Sequence, residues 1–303
     1  MLSFSPVETL DRLSYRAHVK ESAFLTKSCE YAYANIYAWT AMYQTKWASG
    51  GGSIYFRMRH EGEDYFLCPV TALSNLENAL SNLIGYEKDR GREKLNFVCL
   101  PENFADKLAR LYPQAEVSSN RGSADYLYEK EKLAAFSGKA LHAKKNHKNR
   151  FMALYGDSYE YRVMTPDDVP LCKAFNEKWY APNSAYTDFE FSNEHIATTK
   201  MLEHFELLGL TGGLIFVNSE LCAYTLASDN YDGADTLDVH AEKGDYDITG
   251  VYPAICSEFL LHSGEGYAFV NREDDVDDEG LRQSKLSYKP VAMEEKYNVS
   301  FSI

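Results

Sequence analysis

No apolar run in this sequence approaches the roughly 18 residues that a membrane-spanning helix requires, so an integral membrane segment is not expected. Met1 to Arg12 also lacks the basic start and apolar core of a secretory signal, which makes the cytoplasm the expected location. Cysteine is sparse. The six cysteines, Cys29, Cys68, Cys99, Cys172, Cys222 and Cys256, form no Cys-x-x-Cys, and four fall in apolar or strand-like runs, the pattern of reduced packing residues. There is no Gly-x-Ser-x-Gly to present a hydrolase nucleophile, no glycine loop ending in Gly-Lys-Ser/Thr, and no three-glycine dinucleotide fingerprint. His240-x-Glu242 followed by Pro253-x-x-Cys256 lacks the Pro-Cys-x-x-Cys of a zinc deaminase. The acidic run from Glu273 to Glu279 lacks the ligand spacing of a calcium loop, and no metal site is expected.

What is present suffices for two domains with real cores: 303 residues, of which 45% are apolar. The net charge of −14 is unevenly spread. Residues 1–150 carry 21 Lys+Arg against 17 Asp+Glu, whereas residues 151–303 carry 10 against 28. An anionic partner is therefore compatible with one half only.

The most informative stretch runs from Thr236 to Asp274. Thr236 to Glu242 alternates with period two and reads as a strand; Val251 to Leu261 places Val251, Ile255 and Phe259 on one helical face; Tyr267 to Asn271 reads as a second strand. Gly244 and Gly250 bound the first loop, and Gly264 and Gly266 close the helix. Strand, loop, helix, strand is a parallel crossover, and the amide groups around Gly250 and Val251 are expected to face an anion above the strand end.

Around this unit each half shows the same order of elements. The first half predicts a helix from Ser5-Pro6, a helix over Cys29 to Tyr43, a hairpin about Glu61 to Asp64, a helix over Asn75 to Glu87, a strand over Leu95 to Leu100, a helix over Pro101 to Leu111, and a closing strand over Asp125 to Tyr128. The second predicts a helix from Thr165-Pro166, a helix over Asn193 to Leu208, a hairpin about Asn218-Ser219, the crossover, a helix around Gly280 to Tyr288, and a final strand near Glu294 to Phe301. Element order thus suggests a duplication, although no residue-level repeat accompanies it. Between the halves, Ser137 to Phe151 predicts a joining helix whose inward face runs Leu141, Lys144 or Lys145, Lys148, Phe151 and Tyr155, with a basic middle between apolar ends.

The crossover unit resembles the central strand, pyrophosphate loop and helix of the GNAT acyltransferase fold, without that fold's Arg/Gln-x-x-Gly-x-Gly/Ala loop. More of the chain is involved in a second likeness. Cys29 to Trp39, Ser137-Gly-Lys139, Lys144 to Phe151, His240-Ala-Glu-Lys-Gly244, Asn271-Arg-Glu-Asp274, Gly280-Leu-Arg282 and Lys285 to Pro290 together resemble the phosphatidylglycerol lysyltransferase C-terminal-like family. The resemblance implies an α/β protein of two tandem GNAT-like domains, similar to the Fem transferases that move an amino acid from aminoacyl-tRNA to an amine or hydroxyl. Domains are expected at 1–135 and 156–303, with 136–155 as a basic linker helix.

Transfer from an ester needs a positioned nucleophile, a group to take its proton, and donors for the oxyanion. Glu242 is the candidate for the amine, Lys243 for the oxyanion, and Tyr288 for an acid. Lys144, Lys145, His147 and Lys148, with Gly244, Gly250 and Val251, are the candidates for donor phosphates. Asn271, Arg272, Glu273, Arg282 and Lys285 are the candidates for substrate binding. The expected partners are tRNA, through the basic helix, and a small-molecule or lipid-headgroup acceptor. The donor is aminoacyl-tRNA or acyl-CoA, and no tightly bound cofactor is expected. An acyl-CoA-dependent N-acyltransferase and a non-catalytic small-molecule-binding protein are the alternatives.

Overall fold

The computed structural model describes residues 2–24, 26–181 and 189–303. Short turns chosen for left-handed backbone start both sheets. Glu61 (φ 49°) and Gly62 (φ 86°) join β3 (Ser53–His60) to β4 (Glu63–Phe66), and Asn218 (φ 52°) and Ser219 (φ 66°) join β9 (Thr211–Val217) to β10 (Glu220–Ser228). Two consecutive positive φ values match the twist of a hairpin, so both expected hairpins form.

The other strands are β1 (Ser5–Pro6), β2 (Lys46–Gly50), β5 (Lys94–Leu100), β6 (Glu116–Ser119), β7 (Asp125–Glu129), β8 (Tyr159–Val163), β11 (Thr236–Gly244), β12 (Phe269–Asn271), β13 (Ala292–Glu294) and β14 (Tyr297–Ser302). The helices in the first part of the chain are α1 (Arg12–Lys20), α2 (Tyr33–Ala38), α3 (Thr40–Tyr43), α4 (Leu76–Asp89) and α5 (Glu102–Leu111). Then follow α6 (Lys130–Ala135), α7 (His142–Tyr155), α8 (Val169–Tyr180), α9 (Phe189–Glu203), α10 (Phe205–Leu208), α11 (Val251–Ser263) and α12 (Glu279–Ser287).

Two local expectations shift. Ser5-Pro6 pairs with β2 and opens only a 3₁₀ turn over Val7–Thr9, and α1 begins at Arg12, where the Asp11 side chain accepts from the Ser14 amide. Cys29 to Tyr43 is broken into a 3₁₀ turn and two short helices, with extended backbone at Ala32 between the turn and α2. By contrast Thr165 and Asp168 form the reciprocal capping box that the sequence indicates.

The chain divides into two units. One comprises Met1–Asp125, Asn230–Gly233 and Glu294–Ile303; the other comprises Tyr126–Asp229 and Ala234–Met293. The first sheet runs β1-β2-β3-β4-β5-β14-β6, with β4 and β5 parallel across the crossover helix α4. The second, read from its opposite edge, runs β8-β9-β10-β11-β12-β7-β13, with β11 and β12 parallel across α11. The two orders are identical in pattern, and each sheet takes its penultimate strand from the other half of the sequence. β7 inserts between β12 and β13, and β14 between β5 and β6. Boundaries at 135 and 156 therefore do not describe this protein, because β7 fills a slot in the second sheet and β14 one in the first.

Nor is α7 a linker. Phe151 is fully buried in a cluster with Ile215, Val217, Val251 and Ile255, which makes α7 part of the second unit's core. Its inward face is the one the sequence indicates: Leu141 and Phe151 are buried, Lys144 and Lys148 are half-buried, and Lys145 and His147 are exposed. A neighbouring core layer gathers Tyr126, Tyr128, Val239, Cys256, Phe259, Val270 and Tyr288. In the first unit Tyr15, Phe56, Phe66, Phe97 and Phe104 are buried, with edge-on ring pairs between Tyr15 and Phe56 and between Phe97 and Phe104.

Candidate active site

A break in the β10–β11 ladder decides which residues can meet. Ala227 pairs with Val239 and Leu226 with Ala241, so His240 is an extra residue in β11. Residues two apart on a strand ordinarily share a face, and a bulge reverses that beyond it. Val239 packs in the core layer with Tyr128, Cys256 and Tyr288, and beyond the bulge Glu242 turns to that same face.

There Glu242 Oε1 accepts a hydrogen bond of 2.8 Å from Arg272 Nη2. Both side chains are almost enclosed, at 9% and 13% exposure. Burial pushes the Glu242 carboxyl above its ordinary value, and Arg272, Lys144 and Lys285 pull it back only in part. Burial disfavours the charge on Arg272 as well, but Glu242, Cys256, Tyr288 and Tyr128 together more than offset this. The Arg272 guanidinium lies 4.5 Å from the Tyr288 ring centre, and Lys144 Nζ lies 3.7 Å from it, so Tyr288 packs against two cations. Burial holds the Tyr288 hydroxyl well above the usual phenol range and keeps it protonated, while Arg272 acts in the opposite direction. Cys256, at the back of the site, is pushed up to about 12, chiefly by burial and next by Glu242. It stays a thiol. The result is one carboxylate, two cations and a phenol within a single unit, at the end of a parallel strand pair.

Lys144 is lowered to about 8, first by burial and then by Arg272, with Cys256 and Glu242 acting in the opposite sense. Below pH 8 both folded and unfolded states carry this proton. Between about pH 8 and the ordinary lysine value of about 10.4 the unfolded chain binds more of it, so the Lys144 contribution to stability rises with pH. Replacing Lys144 with Met is expected to remove that rise, which urea denaturation of both proteins at pH 7, 8, 9 and 10 measures. Equal pH dependence in the two would refute it.

The other candidates lie elsewhere. Lys243 points to the opposite face of the sheet, where it bonds to Glu194 at 2.5 Å and lies 4.0 Å from the Trp179 ring centre. It does not reach Glu242. Lys148 bonds to Ser257 at 2.7 Å and Glu258 at 2.8 Å, fastening α7 to α11. In the loop after β11 four amides are already engaged. The amides of Asp245, Asp247, Ile248 and Val251 bond to Cys222 O, Asp245 Oδ1, Asp245 O and Ile248 O. Gly250 (φ +80°) serves a close approach: a Cβ there would sit 2.4 Å from His147 O, because α7 covers the start of α11. Gly244 is tight for a similar reason, with Val251 2.8 Å from the place of its Cβ.

The acidic run forms a clamp around the loop that carries Arg272. Asn271 accepts from the Glu273 amide at 2.6 Å, and Arg282 holds Asp275 with bonds of 2.9 and 2.8 Å. Tyr126 also donates to Asp275, at 2.5 Å. Burial pushes Asp275 up, but Arg282 and Tyr126 outweigh it and hold the carboxyl down at about 2. Lys285 donates to the carbonyls of Arg272, at 2.5 Å, and of Asp274. Of the five substrate candidates, Arg272 alone meets Glu242, and the other four shape the loop that presents it. Sequence reasoning missed Tyr128 and Cys256, which wall the site. Tyr128 reaches it only because β7 joins the second sheet.

Comparison with known proteins agrees with this architecture. The family model described as phosphatidylglycerol lysyltransferase, C-terminal, matches residues 22–300. A crystal structure of a conserved protein of unknown function from Bacteroides thetaiotaomicron is 31% identical, with a TM-score of 0.91, over 99% of this chain and 100% of that one. The structure of L-PGS from Bacillus licheniformis is 11% identical, with a TM-score of 0.65, over 94% of this chain and 90% of that one. A tandem GNAT protein from the clavulanic acid biosynthesis pathway is 9% identical, with a TM-score of 0.51, over 100% and 98%. An uncharacterized protein of Mycoplasmoides gallisepticum is 24% identical over 180 residues, which span 59% of this chain and 57% of that protein's length. The fold is accordingly the tandem GNAT arrangement. No helix of the described residues is long and apolar enough to cross a membrane.

Proposed function

Because this chain belongs to the phosphatidylglycerol lysyltransferase, C-terminal, family, we propose that it is an acyltransferase that moves an aminoacyl group from aminoacyl-tRNA to an amine or hydroxyl acceptor. The observation that carries the reading is the enclosed Glu242–Arg272 pair beside Lys144 and Tyr288. In such a transfer the acceptor's nitrogen or oxygen bonds to the ester carbonyl, the carbonyl–oxygen bond to the ribose breaks, and one proton passes from acceptor to leaving hydroxyl. Glu242, a stronger base than an ordinary carboxylate because it is buried, suits orienting the acceptor and accepting its proton. Arg272 and Lys144 suit the oxyanion, and Tyr288, still protonated, suits the leaving oxygen.

Crowding at the start of α11 supports aminoacyl-tRNA over acyl-CoA as the donor for this unit. A coenzyme pyrophosphate needs open amides at a helix start, and here the Val251 amide is bonded and α7 lies against Gly250. The exposed side of α7, with Lys139, Lys145, His147 and Arg150, suits the phosphates of a tRNA end.

Binding to a pool of charged tRNA, measured at two salt concentrations with acetyl-CoA as competitor, tests the assignment. We expect salt-sensitive binding that acetyl-CoA leaves unchanged. Reversing the charges of Lys145 and Arg150 should weaken it and make the log–log salt slope shallower by about 0.7–0.9 for each phosphate no longer neutralised. Displacement by acetyl-CoA would instead assign an acyl-CoA-dependent N-acyltransferase, and failure to bind either donor would leave a small-molecule-binding protein on this fold.

A further inference from the structure

Behind the Glu242–Arg272 pair, on the other face of the same two strands, stands a second pair. His240 has a fully enclosed side chain, whose Nδ1 lies 2.9 Å from Glu273 Oε1 and whose Nε2 lies 2.8 Å from Ser228 Oγ. The geometry follows from the bulge. Ser228 pairs with Asp238, and Asp238 is in parallel register with Asn271, so Ser228, Asp238 and Asn271 share one face. His240 and Glu273 lie on that face, whereas Glu242 and Arg272 lie on the other. Along β11 and along the segment that continues β12, the chain alternates between the outer pair and the inner one.

Glu273 holds a left-handed backbone (φ 58°), which is uncommon for a residue with a side chain. Among the bonds that hold it are His240 on its carboxylate, Asn271 on its amide at 2.6 Å, and its carbonyl accepting from the Tyr126 amide at 3.1 Å. Of these three, the His240 bond is the one that ties it to β11. Loss of that bond loosens the residue next to Arg272 from the strand that carries Glu242.

We propose that His240 is a positioning residue, which sets the register of Glu242 against Arg272 by holding Glu273 from the far side of the sheet. This inference rests on the transfer reading above. His240 touches neither reacting group, and its effect passes through the backbone of β11 and the Arg272–Glu273 turn.

The test compares His240→Leu with His240→Asn, whose amide can still donate to Glu273 from near the position of Nδ1. Two quantities are read: the kinetics of aminoacyl transfer, and the midpoint at which Lys144 becomes reactive to an amine reagent, followed by mass spectrometry. Lys144 senses both Arg272 and Glu242, so its midpoint reports their placement without any turnover. His240→Leu is expected to lower kcat by up to about 10²-fold, the scale of a misplacement near 1 Å. The KM for charged tRNA should stay near the wild-type value, the Lys144 midpoint should shift, and His240→Asn should restore both. Should His240→Leu fail to fold, Glu273→Ala removes the same bond from its more exposed end and should give the same result. An unchanged Lys144 midpoint in the folded variant overturns the proposal, as does a loss that His240→Asn fails to repair. If the wild-type protein transfers nothing, the functional reading fails, and the Lys144 titration still decides the positioning role.

Discussion

Cutting the chain after Ala135, where element order places the boundary, is expected to give two fragments that do not fold alone. Fragment 1–135 lacks β14, and with it Val299 and Phe301, which are 1% and 4% exposed. Phe301 stacks on Tyr112 with ring centres 3.8 Å apart and lies 6.3 Å from Phe97. Burying two such side chains contributes about 1.5–3 kcal/mol each. The same fragment loses Lys296, whose ammonium lies 2.7 Å from Asp125 and 3.0 Å from Glu30. Asp125 is completely buried, and a buried carboxylate stripped of its cation costs about 3–5 kcal/mol more. These losses rival the whole stability of an ordinary domain, about 5–15 kcal/mol.

Fragment 136–303 suffers in parallel. It lacks Tyr126, Leu127 and Tyr128, all buried, and leaves the β12 edge at Phe269 to Asn271 without its antiparallel partner. Circular dichroism and urea titration of each fragment, alone and mixed, make the measurement. A cooperative transition in isolated 1–135 would refute the expectation, whereas recovery on mixing would identify the exchanged strands as what each fragment misses.

The second large effect is expected at Arg272. Replacing it with Met removes the bond of 2.8 Å to Glu242 and leaves an enclosed carboxylate without its nearest cation. The destabilisation should be about 3–5 kcal/mol near neutral pH. It should shrink on acidification. Glu242 already sits above its ordinary value, and without Arg272 it rises further. A carboxyl whose folded pKa exceeds its unfolded one contributes stability that is present at low pH and lost as pH rises. Adding Glu242→Gln to Arg272→Met removes both charges and should recover most of the stability, since a buried pair can often be replaced at little cost. Transfer should not recover with it, because on the proposed reading the acceptor has lost its base and the oxyanion one of its donors; removal of one such donor typically costs about 10²–10³ in kcat. Chemical denaturation of the three variants at pH 5 and pH 7, beside their transfer rates, separates the two roles. Recovery of transfer in the double variant would show that the pair serves the fold alone.

Much of this was legible in the sequence wherever the cause is local. Asn218-Ser219 announces its hairpin through turn chemistry, Thr165-Pro166-Asp-Asp168 announces its helix through capping, and the alternation around Thr236 announces the central strand. The inward face of α7 was legible too, because Leu141, Lys144 or Lys145, Lys148, Phe151 and Tyr155 recur at helical spacing, and the structure turns Lys144 inward. What escaped depends on partners distant in sequence. Alternation says that Asp125 to Tyr128 and Tyr297 to Phe301 are strands, but it carries no label for the sheet they join. The extra residue at His240 leaves no trace in composition, yet it decides that Glu242 faces Arg272 while Lys243 turns to Trp179 and Glu194. Gly250 shows the same ambiguity. A glycine that admits a phosphate and one that admits a neighbouring helix look alike in sequence, and here the space belongs to His147.

The strand exchange also bears on how the chain is made. Ser300 on β14 bonds to Asn96 on β5, a partner 204 residues earlier. A ribosome adding about 5–20 residues per second therefore delivers β5 and β6 at least ten seconds or so before the strand that belongs between them. Until then both present unpaired edges, with Phe97 and Tyr112 awaiting Phe301. Such edges invite pairing with other chains. Nascent-chain holding factors, slow codons or low temperature during expression should accordingly influence the yield of this protein more than its final stability would suggest.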